Sequence, residues 1–281
     1  MSRKSLVDKS LSATLVHGIL ICYSILALWP IFLVVSNSFK SRKGIFNDPM
    51  AVPTAETFST IGFDKVLGRS NFDVYFLNSI TVTVMTLGIT LLIGAMAAWA
   101  LAGYKYRLNT LLAFYLAIGI MVPIRLGTVS ILKLVVAMGL MNSLTALILV
   151  YIAMSLPLTI FILNEFMQQI PNDLKEAARC DGVSEYRIFF QIILPLTKPA
   201  IATVGVFTMV PVWNDLWFPL ILTADDSVRT VTLGVQQFVG QYVTDWNSVL
   251  ASLTLAIVPV FILYIIFSRQ LIRGITAGAV K

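Results

Sequence analysis

The densest group of charged side chains lies in residues 171–199, between two apolar stretches of the chain. Glu176, Arg179 and Asp181 bring two carboxylates and a guanidinium close together in this segment. Because charged side chains are costly in hydrocarbon, we expect the segment to lie outside a lipid bilayer. Side chains of these types suit ion pairing with a second protein.

The same segment carries the signals of two short helices joined by a turn. Asp173 followed by Glu176 predicts a capping box at a helix start. Gly182 suits the residue after a helix end, where a positive φ is favoured. Ser184 is expected to cap a second helix and Pro195 to end it. We therefore predict a helix-turn-helix knob that projects from a membrane domain.

A second group of polar and aromatic residues lies inside an apolar stretch, around Asp215. An intramembrane carboxylate is a candidate functional group, and Pro211 is expected to loosen the helix before it. One interpretation is a polar lining of a translocation path, with a tryptophan stacked on the solute. The other is hydrogen bonding to a neighbouring helix. The candidate path residues are Trp213, Asn214, Asp215 and Trp217.

Composition and missing motifs exclude several classes of function. Of the 281 residues, 58% are hydrophobic and 12% are charged, as in a membrane protein with several spans. The net charge of +6 is scattered over loops, which argues against nucleic-acid binding. No G-x-x-x-x-G-K-[ST] run is present, so we expect no ATP hydrolysis by this chain. One histidine and two distant cysteines predict no metal site, and no catalytic residue is assigned.

Hydrophobic patterning predicts six membrane-spanning helices. They are expected over residues 15–38, 75–102, 110–132, 144–166, 199–222 (interrupted by Pro211 and Pro219) and 249–267, with a long polar loop over 40–73. Lys and Arg in short segments favour the side that holds both termini, which places termini and knob in the cytoplasm. Gly94, Ala98 and Ala102 form a small-residue stripe suited to close helix packing.

The residues of the knob resemble a known motif. The spacing of Glu176-Ala177-Ala178, Gly182, Ile192 and Leu194-Pro195 resembles the EAA motif of ATP-binding-cassette (ABC) importer permeases. From Phe76 onward the chain is similar to the six-helix permeases of carbohydrate importers, the maltose-transporter MalG-like family. That likeness includes Trp213-Asn214-Asp215 and the run from Arg273 to Lys281.

The resemblance implies that the knob is a coupling helix that docks into a cleft of an ATPase subunit. The implied coupling residues are Glu176, Ala177, Ala178, Arg179, Asp181, Gly182, Leu194 and Pro195. In this subfamily the C-terminal tail reaches the ATPase interface, which implies contacts at Gly278 and Lys281. The small residues before Lys281 suit an extended, inserted segment.

The resemblance also implies an all-α integral membrane protein with six transmembrane helices and the type I ABC importer permease (MetI-like) fold. The implied function is import of a mono- or oligosaccharide, or a related polyol or sugar derivative, by alternating access. The implied partners are a second homologous permease in a heterodimer, two ABC ATPase subunits, an extracytoplasmic solute-binding protein and the lipid bilayer. The partner ATPases would bind ATP and Mg, and this chain would bind no cofactor.

The chain is accordingly divided into three parts. Residues 1–74 are expected to form a cytoplasmic N-terminal tail, the first transmembrane helix and a periplasmic loop. Residues 75–270 are expected to form a five-helix core with the coupling loop 171–199, and residues 271–281 a cytoplasmic tail. The expected location is the bacterial inner membrane. The alternatives are a secondary transporter or channel not powered by ATP, and a membrane scaffold that recruits a cytoplasmic partner.

Overall fold

The computed structural model describes residues 3–104, 106–240 and 243–279, and side chains from residue 14 to 265 except at 69, 105, 241, 242 and 263. Across these residues the regular structure is helical, apart from two isolated β-bridges. The chain divides into two compact units. One comprises Met1–Ser70 with Val235–Ile257, and the other comprises Asn71–Gly234 with Val258–Lys281.

Fourteen α-helices occur in the described residues. In chain order they are α1 (Arg3–Ser38), α2 (Arg42–Asn47), α3 (Ile61–Arg69), α4 (Phe72–Gly103), α5 (Asn109–Met121), α6 (Thr128–Ala137), α7 (Leu144–Gln168), α8 (Asn172–Cys180), α9 (Glu185–Arg187), α10 (Leu194–Leu196), α11 (Lys198–Asn214), α12 (Trp217–Leu222), α13 (Val231–Gln236) and α14 (Trp246–Ala279). Two 3₁₀ turns (Ile124–Gly127 and Asp226–Val228) and a π-helical segment (Ile188–Ile193) complete the order.

Three of the predicted spans are continuous helices, long and apolar enough to cross a membrane. They are Thr14–Ser38, Phe72–Gly103 and Leu144–Gln168. Two bent pairs also pass this test, each counted as one span: Asn109–Met121 with Ile124–Ala137, and Glu185–Leu196 with Lys198–Asn214. The last predicted span corresponds to the shorter apolar segment Trp246–Ile262 of α14. The count of six spans stays a prediction.

The prediction of one continuous helix over 110–132 is wrong. The chain bends by 85° between α5 and the segment Ile124–Ala137. Pro123 explains the break, because a proline disfavours the helical conformation of the residue before it. Val122 is accordingly extended, with φ −73° and ψ 121°.

The polar segment 40–73 is also more ordered than the predicted loop, because it contains α2 and α3. The side chain of Ser41 accepts a hydrogen bond from the Gly44 backbone N–H (3.3 Å) and so caps α2. Lys65 in α3 forms an ion pair with Asp245 at 2.6 Å. These local caps and pairs order a stretch that lacks long apolar runs.

The core of the larger unit is built where α4 packs on α7. Ala98 of α4 is fully buried, in a cluster with Ile160 and Leu163 of α7. Gly94, one turn earlier, lies so close to Thr159 that a β-carbon at residue 94 would overlap the threonine methyl group. The small-residue stripe of the sequence therefore does what was expected of it at these two positions: it lets two helices approach closely.

Candidate functional site

One face of α8, the first helix of the knob, is packed onto the helical core. The side chain of Lys175 is buried, with Nζ 5.4 Å from the centroid of the Trp99 ring of α4. Nζ also donates a hydrogen bond to Asn172 Oδ1 (3.1 Å). Burial, and secondly the positive charge of Arg179, lower the pKa of Lys175. A buried cation over an aromatic face attaches this helix to α4.

Ala178 lies on the same inward face. It is buried in a hydrophobic cluster that includes Trp99, Met167 and Ile188. The resemblance implied that Ala178 is a coupling residue, but its methyl group faces this chain's own core rather than the open face of α8. Its small size is used for close packing of α8 on α4 and α7.

The opposite face of α8 is open. Its exposed side chains are Asp173, Leu174, Glu176, Ala177, Arg179 and Cys180, followed by exposed Asp181 and Gly182. This face combines charges with the small side chain of Ala177 and the half-exposed Leu174. Such a surface is suited to a protein partner, with apolar contact at its centre and charges around it.

The predicted start of α8 is wrong and its predicted end is right. Pro171 occupies the N-cap position with no side-chain capping bond, so no capping box forms. Asp173 lies in the first helical turn instead, where its charge still favours the helix N-terminus. Gly182 has φ +73°, and its N–H donates to the Arg179 carbonyl while that of Val183 donates to the Ala178 carbonyl, both at 3.0 Å. This is a Schellman motif, which ends the helix in a fixed turn.

The second half of the knob also differs from prediction. Ser184 occupies the N-cap position of α9, but its side chain forms no capping bond. Pro195 lies within α10 and does not end the helix. The preceding residues are π-helical, and the Leu194 N–H donates to the carbonyl of Phe189, five residues earlier. Leu194 packs partly against the core, and Pro195 is exposed.

A polar clamp that the sequence did not predict joins the knob to the end of α4. The hydroxyl of Tyr104 donates to Glu185 Oε2 (2.8 Å), and Arg179 Nε donates to Glu185 Oε1 (2.7 Å). The hydrogen bond to Glu185 is the main cause that raises the pKa of Arg179. Tyr104 and Glu185 are 81 residues apart, so no local spacing signalled the contact.

The second candidate site lies where α11 ends and α12 begins. Asp215 Oδ2 accepts hydrogen bonds from the Tyr151 hydroxyl (2.9 Å) and from the Phe218 backbone N–H (3.0 Å). The helix predicted over 199–222 is interrupted between α11 and α12, at Asp215. The predicted interruptions at Pro211 and Pro219 are wrong, because these prolines lie inside α11 and α12. The carboxylate explains the position of the break, because it satisfies a backbone donor at the start of α12.

The neighbours of Asp215 have different surroundings. Trp213 is 4% exposed and packs edge-on against Phe76, with ring centroids 5.9 Å apart. Asn214 is exposed and donates to the Val210 carbonyl (2.9 Å). Trp217 is 39% exposed and donates through Nε1 to Thr128 Oγ1 (3.0 Å). The structure thus gives Trp213 and Asp215 packing and capping contacts within the chain, and it leaves Asn214 and Trp217 at the surface.

These contacts predict a structural cost at Asp215. Replacing Asp215 with alanine leaves the buried Tyr151 hydroxyl without its acceptor, which costs about 1–3 kcal/mol. We expect a lower unfolding midpoint in detergent for Asp215→Ala, and a midpoint near the parent for the exposed neighbour Asn214→Ala. Equal unfolding midpoints for the two variants, with transport lost only in Asp215→Ala, would instead indicate that the carboxylate contacts the transported solute.

The C-terminal segment is helical where the structure describes it. Helix α14 continues through Gly278 to Ala279, so the extended conformation expected for this tail is wrong over these residues. Lys281 lies outside the described residues. Among the described residues, no group of three or more His, Cys, Asp or Glu side chains is arranged to hold a metal ion.

Comparison with known proteins identifies relatives over most of the chain. Residues 90–277 match the family described as "Binding-protein-dependent transport system inner membrane component". The chain is 36% identical over 263 residues to the "Putative ABC transporter permease protein ORF2" of Caldicellulosiruptor sp. (strain Rt8B.4), covering 91% of this chain and 94% of that protein. It is 31% identical over 271 residues to the "Diacetylchitobiose uptake system permease protein NgcG" of Streptomyces coelicolor, covering 96% and 89%.

A solved structure has a similar fold. It is a chain of a bacterial ABC transporter involved in the import of the acidic polysaccharide alginate. The TM-score is 0.79, and the match covers 96% of this chain and 98% of that chain. The sequence identity is 21%, so this likeness concerns the fold alone.

Proposed function

Because the chain belongs to the family of inner membrane components of binding-protein-dependent transport systems, we propose that it is a translocation subunit of an ATP-driven importer for carbohydrates. The observation that carries the proposal is the knob. One face of α8 is fixed to the core through Lys175 and Ala178, and the opposite face, with Glu176 and Ala177, is free for a partner.

The partner on this face is proposed to be an ABC ATPase, two copies of which bind ATP and Mg. This chain itself carries no phosphate-binding run of the G-x-x-x-x-G-K-[ST] type. The residues proposed to meet the ATPase are those on the open face and the turn, Glu176, Ala177, Asp181 and Gly182. Arg179 lies on the exposed face of α8 but is already paired with Glu185 within the chain, so its role in this structure is to hold the knob together. The Lys and Arg residues in short segments support a cytoplasmic position for both termini and the knob, on the side where ATP is found.

Coupling follows from the attachment of the knob to the spans. The Lys175–Trp99 contact attaches α8 to α4. The Tyr104–Glu185–Arg179 clamp attaches the segment after α8 to the C-terminal end of α4. A displacement of α8 by a closing ATPase dimer is therefore passed to α4 and, through the packing around Gly94, to α7. ATP binding would thus shift the population of the spans from inward-open to outward-open, and hydrolysis would reset it.

The carbohydrate class is supported by the relatives. One relative, 31% identical over most of both chains, belongs to a diacetylchitobiose uptake system. The further partners proposed are a second permease subunit and an extracytoplasmic binding protein that delivers the solute. Gly278 in α14 and Lys281 remain proposed contacts of the C-terminal tail with the ATPase.

The proposal is tested by uptake of labelled sugars, polyols and glycerol phosphate in the source bacterium. A strain that lacks only this gene is compared with the same strain carrying the gene on a plasmid. We expect loss of uptake for one class of sugar or polyol, with recovery on complementation. Unchanged uptake of every compound in the deletion strain would contradict the carbohydrate assignment.

A further inference from the structure

A polar pocket lies beside the C-terminal end of α1, in the unit that comprises Met1–Ser70 and Val235–Ile257. Its volume is about 640 Å³, and most of the residues that line it are polar or charged. The side chains that matter for its chemistry are those of Ser41, Arg42, Ser59, Lys65, Asp245 and Asn247. Such a lining can bind a ligand that combines hydroxyl groups with a charge.

Contacts between distant parts of the chain hold the walls of this pocket in place. The buried Asn247 of α14 donates through Nδ2 to the carbonyl of Lys40 (2.7 Å), so the end of α1 is attached to the start of α14. Lys65 of α3 and Asp245 form an ion pair at 2.6 Å across the same space. The pocket is therefore built from ordered segments with internal bonds, and its shape does not depend on a ligand.

The charge that remains in the pocket is positive. The ammonium of Lys65 is neutralised by the carboxylate of Asp245. Arg42 lies in the first turn of α2, is exposed, and takes part in no ion pair among the residues that the structure describes. A free guanidinium donates two parallel hydrogen bonds to a phosphate, so an anion of this kind is the complementary ligand.

The position of the pocket along α1 places it near a membrane surface. Thr14–Ser38 is a candidate membrane-spanning helix, and Arg42 follows its last residue by only four positions. Trp29 and Phe32, in the last turns of this helix, are exposed and stacked, with ring centroids 5.5 Å apart. Aromatic side chains of spanning helices are enriched at the level of the lipid headgroups. The pocket thus begins where the headgroups lie.

We propose that this pocket binds the headgroup of an anionic phospholipid of the phosphatidylglycerol type. The phosphate is bound by Arg42, and the glycerol hydroxyls lie among the hydroxyl and amide groups of Ser41, Ser59 and Asn247. The acyl chains follow the exposed apolar surface of α1, which includes Phe32. This surface favours a lipid over a soluble phosphate, because a soluble phosphate has no apolar part to place there.

Binding is tested on the purified complete transporter by native mass spectrometry in detergent. The parent is titrated with phosphatidylglycerol and, separately, with phosphatidylcholine, whose headgroup has no net charge. The variant is Arg42→Gln, which removes the charge from the pocket. The matched control is Lys43→Gln, which removes the same charge from the next residue of α2; Lys43 is exposed and does not line the pocket.

We expect the affinity of the first bound phosphatidylglycerol to fall at least about fivefold in Arg42→Gln and to change less than about twofold in Lys43→Gln, because one basic residue is lost from the headgroup site only in the first variant. In the parent, phosphatidylglycerol is expected to bind more tightly than phosphatidylcholine. Equal affinities for the two lipids would overturn the headgroup site. An equal loss in both variants would also overturn it, since the attraction would then come from general surface charge.

A competition experiment separates the lipid from other sources of the same chemistry. Glycerophosphoglycerol, the headgroup without acyl chains, is added in large molar excess over the lipid, and we expect it to displace little phosphatidylglycerol. Complete displacement would reassign the pocket to a soluble phosphate. Unchanged lipid binding in Arg42→Gln, with weaker binding of the extracytoplasmic binding protein, would reassign it to a protein contact. None of these readouts requires transport, so they stand even if the carbohydrate assignment fails.

Discussion

Replacing Gly182 with aspartate is expected to reduce transport at least about tenfold while the protein still inserts into the membrane, because a charge buried without a partner costs several kcal/mol at an interface. A β-carbon at residue 182 meets no atom within 4 Å in the described part of the chain, its two sequence neighbours aside. It instead projects at the turn that follows the open face of α8, where the ATPase is proposed to dock. The measurement is uptake by a strain whose only copy of the gene carries Gly182→Asp.

The matched control is Gly139→Asp. Gly139 has φ +67°, ends α6, and is also free of contacts within 4 Å of a built β-carbon. Its N–H and that of Leu140 form the same pair of bonds to Val136 and Val135 that closes α8. The backbone strain of aspartate, about 1 kcal/mol, is therefore the same at both sites.

Transport near the parent level in Gly139→Asp, with loss in Gly182→Asp, would assign the loss to the docking surface. Equal loss in both variants would mean that strain at the helix end is the cause. Normal transport in Gly182→Asp would contradict the role of the knob in coupling.

The second large effect is expected in the core of the spans. In Gly94→Ala the new methyl group would overlap Thr159, so the buried threonine side chain or the two helices must shift, and overpacking of this kind costs about 1–3 kcal/mol. We expect less folded protein in the membrane and a lower unfolding midpoint in detergent. The measurements are immunoblotting of membranes and fluorescence-detected thermal unfolding.

Gly88→Ala is the control on the same helix. A β-carbon at Gly88 meets nothing within 4 Å, so the change brings only the higher helix propensity of alanine, worth about 0.5–1 kcal/mol. We expect an unchanged or higher midpoint for this variant. If Gly94→Ala behaved like Gly88→Ala, the close approach of α4 and α7 at this place would be wrong.

The family and the all-helical ABC permease fold were predictable from sequence, and the comparisons confirm both. The signals that succeeded are local in the chain. Gly182 marked a helix end because only a residue that accepts positive φ fits there, and the observed φ of +73° agrees. Long apolar runs likewise marked α1, α4 and α7, because a helix needs about 20 consecutive apolar residues to cross the bilayer and such runs are visible in the sequence.

Contacts between distant parts of the chain were not predictable. The bond between Tyr151 and Asp215 joins residues 64 positions apart, so no local spacing indicated it. The inward orientation of Lys175 was missed because a charged residue in a polar segment suggests exposure, whereas its ammonium group is stabilised by the Trp99 ring. The roles assigned to the coupling and path residues stay predictions.

The break at Pro123 was missed for a different reason. Proline is tolerated in many membrane helices, and Pro30, Pro157 and Pro211 lie within α1, α7 and α11. At Pro123 the chain instead turns through 85°. Each of these prolines has an apolar residue on both sides, so the local pattern did not distinguish a tolerated proline from a break.

The most direct test of the central claim measures what drives uptake. The complete transporter is reconstituted in liposomes with the binding protein outside, together with the labelled sugar of the uptake panel. We expect accumulation of the sugar with ATP inside, none with ADP, and no change when a protonophore collapses the proton gradient. Accumulation with ADP that the protonophore abolishes would contradict it and would identify an ion-coupled transporter that needs no ATPase on α8.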